Sequence, residues 1–437
     1  MKKIVEGNEL LYTVPKQHIM FGREPSVCLR HNLILDDRNC FESPTLIVGN
    51  VGTGKTSIMK DIMDPILEYC ERKGDNAVIF CPKPDMLCFR RKGDPVISIK
   101  SRAPSSCWNI FAEMGASDDP ELTLREISTE LFADVEEKST QVFFPQAARD
   151  IFYQTCRYMY DYSIANGIVF SNADLVNFLE TTPIDSINDT PGWIELASKY
   201  PKYFGMIRDY IGNGSDQGLG CLSELRTLIS RTLFGSFAAE DGRFSALDSL
   251  QGGRQRIFLF YDYANSGHST LSVFHIIIDL LLKQAMRTDS IQKTWFFLDE
   301  GSLLPNSNVL IDALSLGRDP GCNGIGGVRI IMALQSARLM TRHYTKEEAE
   351  TLLSLFPNII ALRVSDSMSR SILSDRYGKA HYQYSYAGIG DKIHYHDSIE
   401  DVVSDYHFSQ ITKKGQAIIS MPGLSNHPFF YDGYREA

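Results

Sequence analysis

The sequence contains no long apolar run. The longest stretch, Phe274–Leu282, is interrupted by His275 and Asp279. It falls well short of the ~20 residues that a membrane-spanning helix requires. Its isoleucines and leucines would lie on nearly every side of a helix, which predicts a helix buried in a core. The N-terminus, Met1-Lys2-Lys3-Ile4-Val5-Glu6, leads into no apolar segment of the signal-peptide kind. Cysteine pairs are lacking too. The nine cysteines (Cys28, Cys40, Cys70, Cys81, Cys88, Cys107, Cys156, Cys221 and Cys322) occur singly. None has zinc-ligand spacing, and the odd count argues against a disulfide framework. Reduced thiols in a cytosol are the expectation. Positive charge is in deficit, with 44 Lys and Arg against 54 Asp and Glu, for a net charge of −10. That argues against a protein that coats nucleic acid non-specifically, but does not exclude a motor touching DNA through a few channel loops. The densest basic run, Arg90-Arg91-Lys92, reads as a solvated turn. There is no low-complexity tract and no tandem repeat. What is left is an ordinary globular composition, 437 residues long and 43% hydrophobic, with room for two or three domains.

Against this background one segment carries chemistry. Gly49-Asn50-Val51-Gly52-Thr53-Gly54-Lys55-Thr56 has the phosphate-binding P-loop pattern. It follows the apolar run Leu46-Ile47-Val48 and precedes a helix start at Ser57-Ile58-Met59-Lys60, the strand–loop–helix context the motif needs. The glycines let the backbone wrap closely around phosphate. Backbone N–H groups from Gly49 to Ser57 and the helix N-terminus face the negative charge. Lys55 reaches the β- and γ-phosphates, and Thr56 offers its hydroxyl to magnesium.

The remaining apolar runs set the architecture. Leu46–Val48, Ala77–Cys81 and Pro95–Ile99 form one group of expected buried strands. Ile257–Tyr261, Trp295–Leu298, Val328–Ala333, Ile359–Val364 and Ala417–Ser420 form a second. Fully apolar strands alternating with helices predict an α/β fold with a mostly parallel sheet covered on both faces. From about 105 to 243 the periodicity is helical instead. Ala147, Ile151, Thr155, Tyr158 and Tyr162 share a face. Ser171 is placed to cap a helix carrying Leu175, Val176 and Leu179. Leu222, Leu225, Ile229 and Leu233 form another stripe, and Gly212–Gly220 reads as a glycine-rich loop between helices. The expected organisation is a discontinuous nucleotide-binding domain, 1–104 and 244–437, with an all-α domain inserted at 105–243.

A P-loop hydrolase needs a carboxylate at the end of a neighbouring strand. Thr294–Leu298 followed by Asp299-Glu300 supplies it. Asp299 is expected in the magnesium shell, and Glu300 is expected to orient and activate the attacking water. Downstream, Arg318 lies in the turn-rich segment Leu316–Gly321, and Gln335 ends the strand Val328–Leu334. An arginine outside the phosphate loop is a candidate finger acting across a subunit interface, and a strand-end glutamine is a candidate γ-phosphate sensor. On these residues alone, a structural role for each stays open.

Taken in order, these blocks resemble the type IV coupling proteins of bacterial conjugation and type IV secretion, the TraD/TrwB-like DNA-transfer ATPases. The matching blocks are Pro44–Ser57, Asn76–Asp85, Trp295–Glu300, Gly317-Arg318 and Ala333–Ser336, with the helical insertion where the family carries its all-α domain. Gly415–Ile419 and the closing Pro-Phe-Phe-Tyr look like the family's last strand and exit. The resemblance covers the chain from about residue 30. It implies a RecA-like motor acting as a ring hexamer with ATP between subunits. Lys55, Thr56, Asp299 and Glu300 carry over as phosphate, magnesium and catalytic groups. Arg318 carries over as the trans arginine finger and Gln335 as the γ-phosphate reader. The implied cofactors are ATP and Mg²⁺. The implied partners are single-stranded DNA delivered by a relaxase complex and a secretion channel at the inner membrane's cytoplasmic face.

The chain departs from the family pattern in four places. It lacks the usual pair of membrane-spanning helices, as expected for a cytoplasmic piece of a longer chain, a soluble subtype or one anchored by a partner. Cys81 stands where an acidic residue often precedes the Pro-Lys. A glycine-rich stretch, Cys322–Gly327, separates the Arg turn from the Gln strand, and the usual Tyr-Gly after Gln335 is missing. Two other readings stay open: a ring translocase of the FtsK–HerA type, and a docking receptor in which nucleotide only regulates substrate binding.

Overall fold

The computed structural model describes residues 2–15, 26–29, 33–36, 40–188, 190–211, 216–287, 291–304, 307–317, 327–387 and 393–433. The chain divides into two compact units. The first comprises Met1–Arg90, Gly253–Arg256 and Ala285–Ala437, and the second Arg91–Gly252 and Ile257–Gln284.

The first unit opens with strand β1 (Lys2–Glu6) and a short antiparallel pair, β2 (Ser26–Leu29) and β3 (Leu33–Asp36). Strand β4 (Thr45–Val48) is wholly buried and leads into helix α1 (Lys55–Lys73). The helix starts at Lys55, two residues before the expected Ser57, because Gly54 at φ 107° supplies the left-handed turn into it. Ile58, Met59, Ile62, Met63, Ile66 and Leu67 bury one face of α1. Gly74, at φ 86°, closes it and donates its N–H to the carbonyl of Cys70 at 2.9 Å. Strand β5 (Asn76–Cys81) follows, buried throughout.

The second unit is mainly helical. Strand β6 (Val96–Ile97) pairs in parallel with β7 (Arg256–Phe260). Between them lie α2 (Ile110–Ala116), α3 (Pro120–Lys138), α4 (Phe143–Asn166), α5 (Asn172–Thr181), α6 (Trp193–Lys199), α7 (Pro201–Ile211), α8 (Asp216–Thr232) and α9 (Ala246–Ser249). Helix α10 (Leu271–Ala285) carries the apolar run read from the sequence as a core helix, and Ile276, Ile277, Ile278, Leu280, Leu281 and Leu282 are buried. The helical stretch at 105–243 lies inside this unit, which also takes in β6, most of β7 and most of α10. Ser171 caps α5 in a reciprocal capping box with Asp174. Leu222, Leu225, Ile229 and Leu233 are all buried. Two expectations change here. Tyr162 at the end of the α4 stripe is exposed, and the buried face ends on Cys156 and Met159. Residues 216–220 of the expected glycine-rich loop are the first turns of α8, while 212–215 lie outside the described residues.

Back in the first unit come β8 (Lys293–Leu298), α11 (Asn308–Leu316), β9 (Gly327–Leu334), α12 (Ala337–Met340), α13 (Lys346–Ser354), β10 (Asn358–Ala361) and α14 (Ser367–Tyr377). The chain ends through β11 (Lys379–Ala387), β12 (Ile393–Asp401), α15 (Asp405–Ser409), β13 (Ala417–Ser420) and β14 (Phe429–Tyr431). Seven strands of this unit run in the order β14-β13-β10-β4-β9-β8-β5. The four pairs from β10 to β5 are parallel, and β13 and β14 join antiparallel. Strands β1, β11 and β12 form a separate antiparallel sheet. Among the described residues no helix is long and apolar enough to cross a membrane.

Candidate functional site

Parallel strands that end together present their carboxyl ends on one side, where loops gather and sites form. The P-loop leaves β4 between the ends of β9 and β10. Gly49 donates its N–H to Leu334 at 3.1 Å, and Asn50 donates its own to Arg363 at 2.9 Å. The Asn50 amide also donates to the Ser365 hydroxyl at 2.5 Å. Gly49 has no room for a side chain: a Cβ there would lie 2.8 Å from Leu362 Cβ and from Thr53 Oγ1. Gly52 and Gly54 both hold positive φ, and the loop hands over to the N-terminus of α1 at Lys55.

Lys55 is buried at the start of that helix. Its Nζ donates to the Gly49 carbonyl at 2.5 Å and to the Asn50 carbonyl at 3.1 Å. Burial pulls its pKa below the usual lysine value, against the opposing pull of Glu300 and Asp299. The two carboxylates arrive from β8. Asp299 is fixed by its N–H to the Phe80 carbonyl of β5 at 2.9 Å. Glu300 then adopts the left-handed region at φ 67°, uncommon for a residue with a side chain. Gly301 follows packed so tightly on β9 that a Cβ would meet Met332 Sδ at 2.5 Å. This sharp turn ends the strand with two successive carboxylates beside Lys55. Ser302 donates its hydroxyl to Glu300 Oε1 at 2.6 Å.

Asp299 is itself nearly buried. Burial first, then the charge of Glu300, push its pKa up to about 6, although Lys55 and Lys83 pull the other way. A carboxylate in that condition favours a cation beside it. Among the described residues, neither the Asp299 carboxylate nor the Thr56 hydroxyl has a side-chain hydrogen-bond partner. A hydroxyl and a carboxylate left uncommitted at a phosphate cradle are a donor set of the kind magnesium takes. Both residues therefore fit the expected metal role.

Gln335 follows β9 directly. It lines an open pocket of about 680 Å³ with Asn50 and Val51 of the P-loop and with Arg338, Arg342 and Asp366. Arg318 and the stretch from Cys322 to Gly326 lie outside the described residues. Gly317, which closes α11, is the last residue described before them. The seven described free cysteines are Cys40, Cys70, Cys81, Cys88, Cys107, Cys156 and Cys221, so Cys28 and Cys322 are the two whose side chains are not described.

Sequence reasoning gave no site role to two neighbours of the P-loop. Lys83, just beyond β5, bears electrostatically on both Lys55 and Asp299. The Lys413-Lys414-Gly415 turn before β13 lies directly on the P-loop. Gly415 donates its N–H to the Thr53 carbonyl at 2.8 Å. Nothing local in the sequence marks the second contact, since Thr53 and Gly415 are far apart in the chain.

A family model for the type IV secretion-system coupling protein DNA-binding domain matches residues 38–391. No curated protein matches the chain. Solved structures similar to it include the bacterial conjugative coupling protein TrwBdeltaN70 in an unbound monoclinic form, at 17% identity. That alignment covers 100% of this chain and 94% of the other, with a TM-score of 0.73. Also similar is the plasmid coupling protein TrwB in complex with ADP and Mg²⁺, at 16% identity over 99% of this chain and 95% of that one, TM-score 0.68. TrwB in complex with the non-hydrolysable ATP analogue ADPNP is similar at 17% identity over 100% and 95%, TM-score 0.68. At these identities the likeness establishes the fold, a RecA-like α/β architecture.

Proposed function

The chain belongs to the type IV secretion-system coupling protein family, and from that premise we propose that it is an ATP-driven motor that hands DNA to a secretion channel and pumps it. The observation that carries the reading is the convergence of Lys55 with Asp299 and Glu300 at the end of the parallel strands. TrwB, a similar protein of known structure, is seen with ADP and Mg²⁺ and with an ATP analogue, which supports ATP and Mg²⁺ as the cofactors here.

Hydrolysis at this site is chemistry by positioning. The P-loop amides and Lys55 hold the phosphates, and a charged phosphate oxygen displaces the neutral carbonyls that Lys55 now binds. Thr56 and Asp299 would hold Mg²⁺, which when bound neutralises phosphate charge. Glu300 orients a water and accepts its proton as the water oxygen bonds to the γ-phosphorus and the bond to the β-phosphate oxygen breaks. Gln335 reads the γ-phosphate. Arg318 comes from the next subunit of a hexamer and stabilises the developing charge. The DNA is single-stranded, carried by a relaxase complex, and the motor works at the cytoplasmic face of the inner membrane through partner proteins.

The test is Lys55→Ala. ATP turnover with DNA and Mg²⁺ should fall at least ~100-fold, with the circular dichroism spectrum and melting temperature unchanged. Turnover equal to the parent's would overturn the assignment.

A further inference from the structure

Helices α3 and α10 meet through a cluster of charged groups that the hydrolysis site does not use. His275 on α10 is 1% exposed. Its Nδ1 lies 3.1 Å from Glu130 Oε2 on α3, within hydrogen-bond reach. Its Nε2 is buried and has no hydrogen-bond partner. The carboxylate facing that nitrogen belongs to Asp279, one turn further along α10, with Oδ1 at 3.8 Å. One ligand atom from each of the three residues falls within 4.8 Å of the others. The next pair along the same two helices, Lys283 and Glu126, is closed at 2.6 Å and satisfies itself.

The two distances differ in kind. At 3.1 Å the ring and Glu130 form a direct hydrogen bond. At 3.8 Å Nε2 and Asp279 are too far apart for one. They lie within the span of two metal bonds, roughly 4.2 Å when an ion binds nitrogen at ~2.0–2.1 Å and carboxylate oxygen at ~2.0–2.2 Å. A histidine whose free nitrogen faces a carboxylate across such a gap, while its other N–H is held by a second carboxylate, is the arrangement that orients imidazole toward a metal. We propose that His275 and Asp279, with Glu130 orienting the ring, form a site for a divalent transition-metal ion of the zinc class. The i, i+4 spacing puts both ligands on one side of α10. Nitrogen with oxygen donors suits zinc or cobalt better than calcium. Two carboxylates, Glu130 and Asp279, balance the ion's charge. The ion ties α3 to α10 and leaves the P-loop chemistry untouched.

The experiment uses the full chain without nucleotide, titrated with Co²⁺ and read by visible absorption, and melted with and without Zn²⁺. The expected result is one equivalent of Co²⁺ with a ligand-field band, a raised melting temperature with Zn²⁺, and both effects retained in Asp299→Asn. Glu130→Gln, at a half-exposed position that tolerates the change, should weaken Co²⁺ affinity ~10- to 100-fold. His275→Gln should abolish the band. The proposal is overturned if the parent chain gives no band and no rise in melting temperature, or if the band survives Glu130→Gln and His275→Gln at unchanged affinity. It is equally overturned if melting responds only to pH, which would make the cluster an imidazolium held by two carboxylates.

Discussion

Asp299 is a carboxylate that the fold makes costly to ionise. Its carboxyl is held at a pKa of about 6 by burial and by Glu300. An unfolded aspartate ionises near 3.8, the value from which it is raised. The ionised form is therefore the one the fold penalises. The penalty is absent below the unfolded pKa, grows as pH rises through the interval, and is complete above about 6. Asp299→Asn should raise the stability of the nucleotide-free protein by on the order of 3 kcal/mol at pH 8. Denaturant melts at pH 4 and pH 8 check this, because the gain should shrink at the lower pH. The same substitution should abolish Mg²⁺-dependent turnover. If Asp299 holds Mg²⁺, a proton competes with the ion for this group, and apparent Mg²⁺ affinity should fall as pH drops below about 6. A pH-independent Mg²⁺ affinity between 5 and 8 would count against Asp299 as a ligand. The motif residues Lys55, Thr56, Asp299 and Glu300 were legible in the sequence because their backbone context is local. Lys83 and Gly415 were not, because what brings them to the P-loop is strand order, and a strand's neighbours are not written in its own residues.

At the scale of elements, α1 offers a controlled comparison. Both of its ends are glycines in the left-handed region, Gly54 at φ 107° and Gly74 at φ 86°. A Cβ on Gly74 meets nothing within 4 Å, whereas one on Gly54 would lie 3.2 Å from the Gly415 nitrogen and 3.5 Å from Lys414 Cγ. Gly74→Ala should therefore cost only the backbone strain, about 1 kcal/mol, with nucleotide binding unchanged. Gly54→Ala should cost that much in stability and also spread the turn that Gly415 pins through Thr53. Its affinity for a fluorescent ATP analogue should drop ~10-fold or more. Equal affinities in the two variants would show that the Gly415 contact does not shape the loop. Element legibility followed burial. Each strand expected from an apolar run has a strand at its place, though β6 is shorter than Pro95–Ile99 and β10 stops at Ala361. Strands β1 and β12, which escaped notice, lie largely on the surface. β12 is exposed or half-buried along its whole length, with Ile393, Tyr395 and Ile399 on the surface. Its signal is alternation among polar and aromatic residues, in a segment that reads equally well as a loop. The α4 stripe failed in the opposite direction, since Tyr162 keeps the helical period after the core has ended.

For the whole molecule, the order of blocks along the chain carried more than any block did alone. A P-loop, an acidic strand, a Gly-Arg turn and a strand-end glutamine around a helical stretch led to the family, and the family model matches 354 of the 437 residues, counting 38 through 391. What one chain cannot contain is a site completed by its neighbour. If Arg318 acts in trans, then ATP turnover per subunit should rise steeply with protein concentration, and Arg318→Ala should lower turnover ~10³-fold or more while nucleotide affinity stays near the parent's. A mixing experiment separates that from a role within one chain. Lys55→Ala subunits keep the arginine, and Arg318→Ala subunits keep the phosphate loop. In a ring assembled at random from equal amounts, a working site needs an intact loop beside an intact finger. About a quarter of the interfaces meet that condition under cyclic head-to-tail assembly. Two inactive proteins should therefore recover about a quarter of parental turnover on mixing, and the recovery should disappear on dilution below the assembly range. If Arg318 works only inside its own chain, every subunit in the mixture carries one defect and the mixture stays inactive at all concentrations.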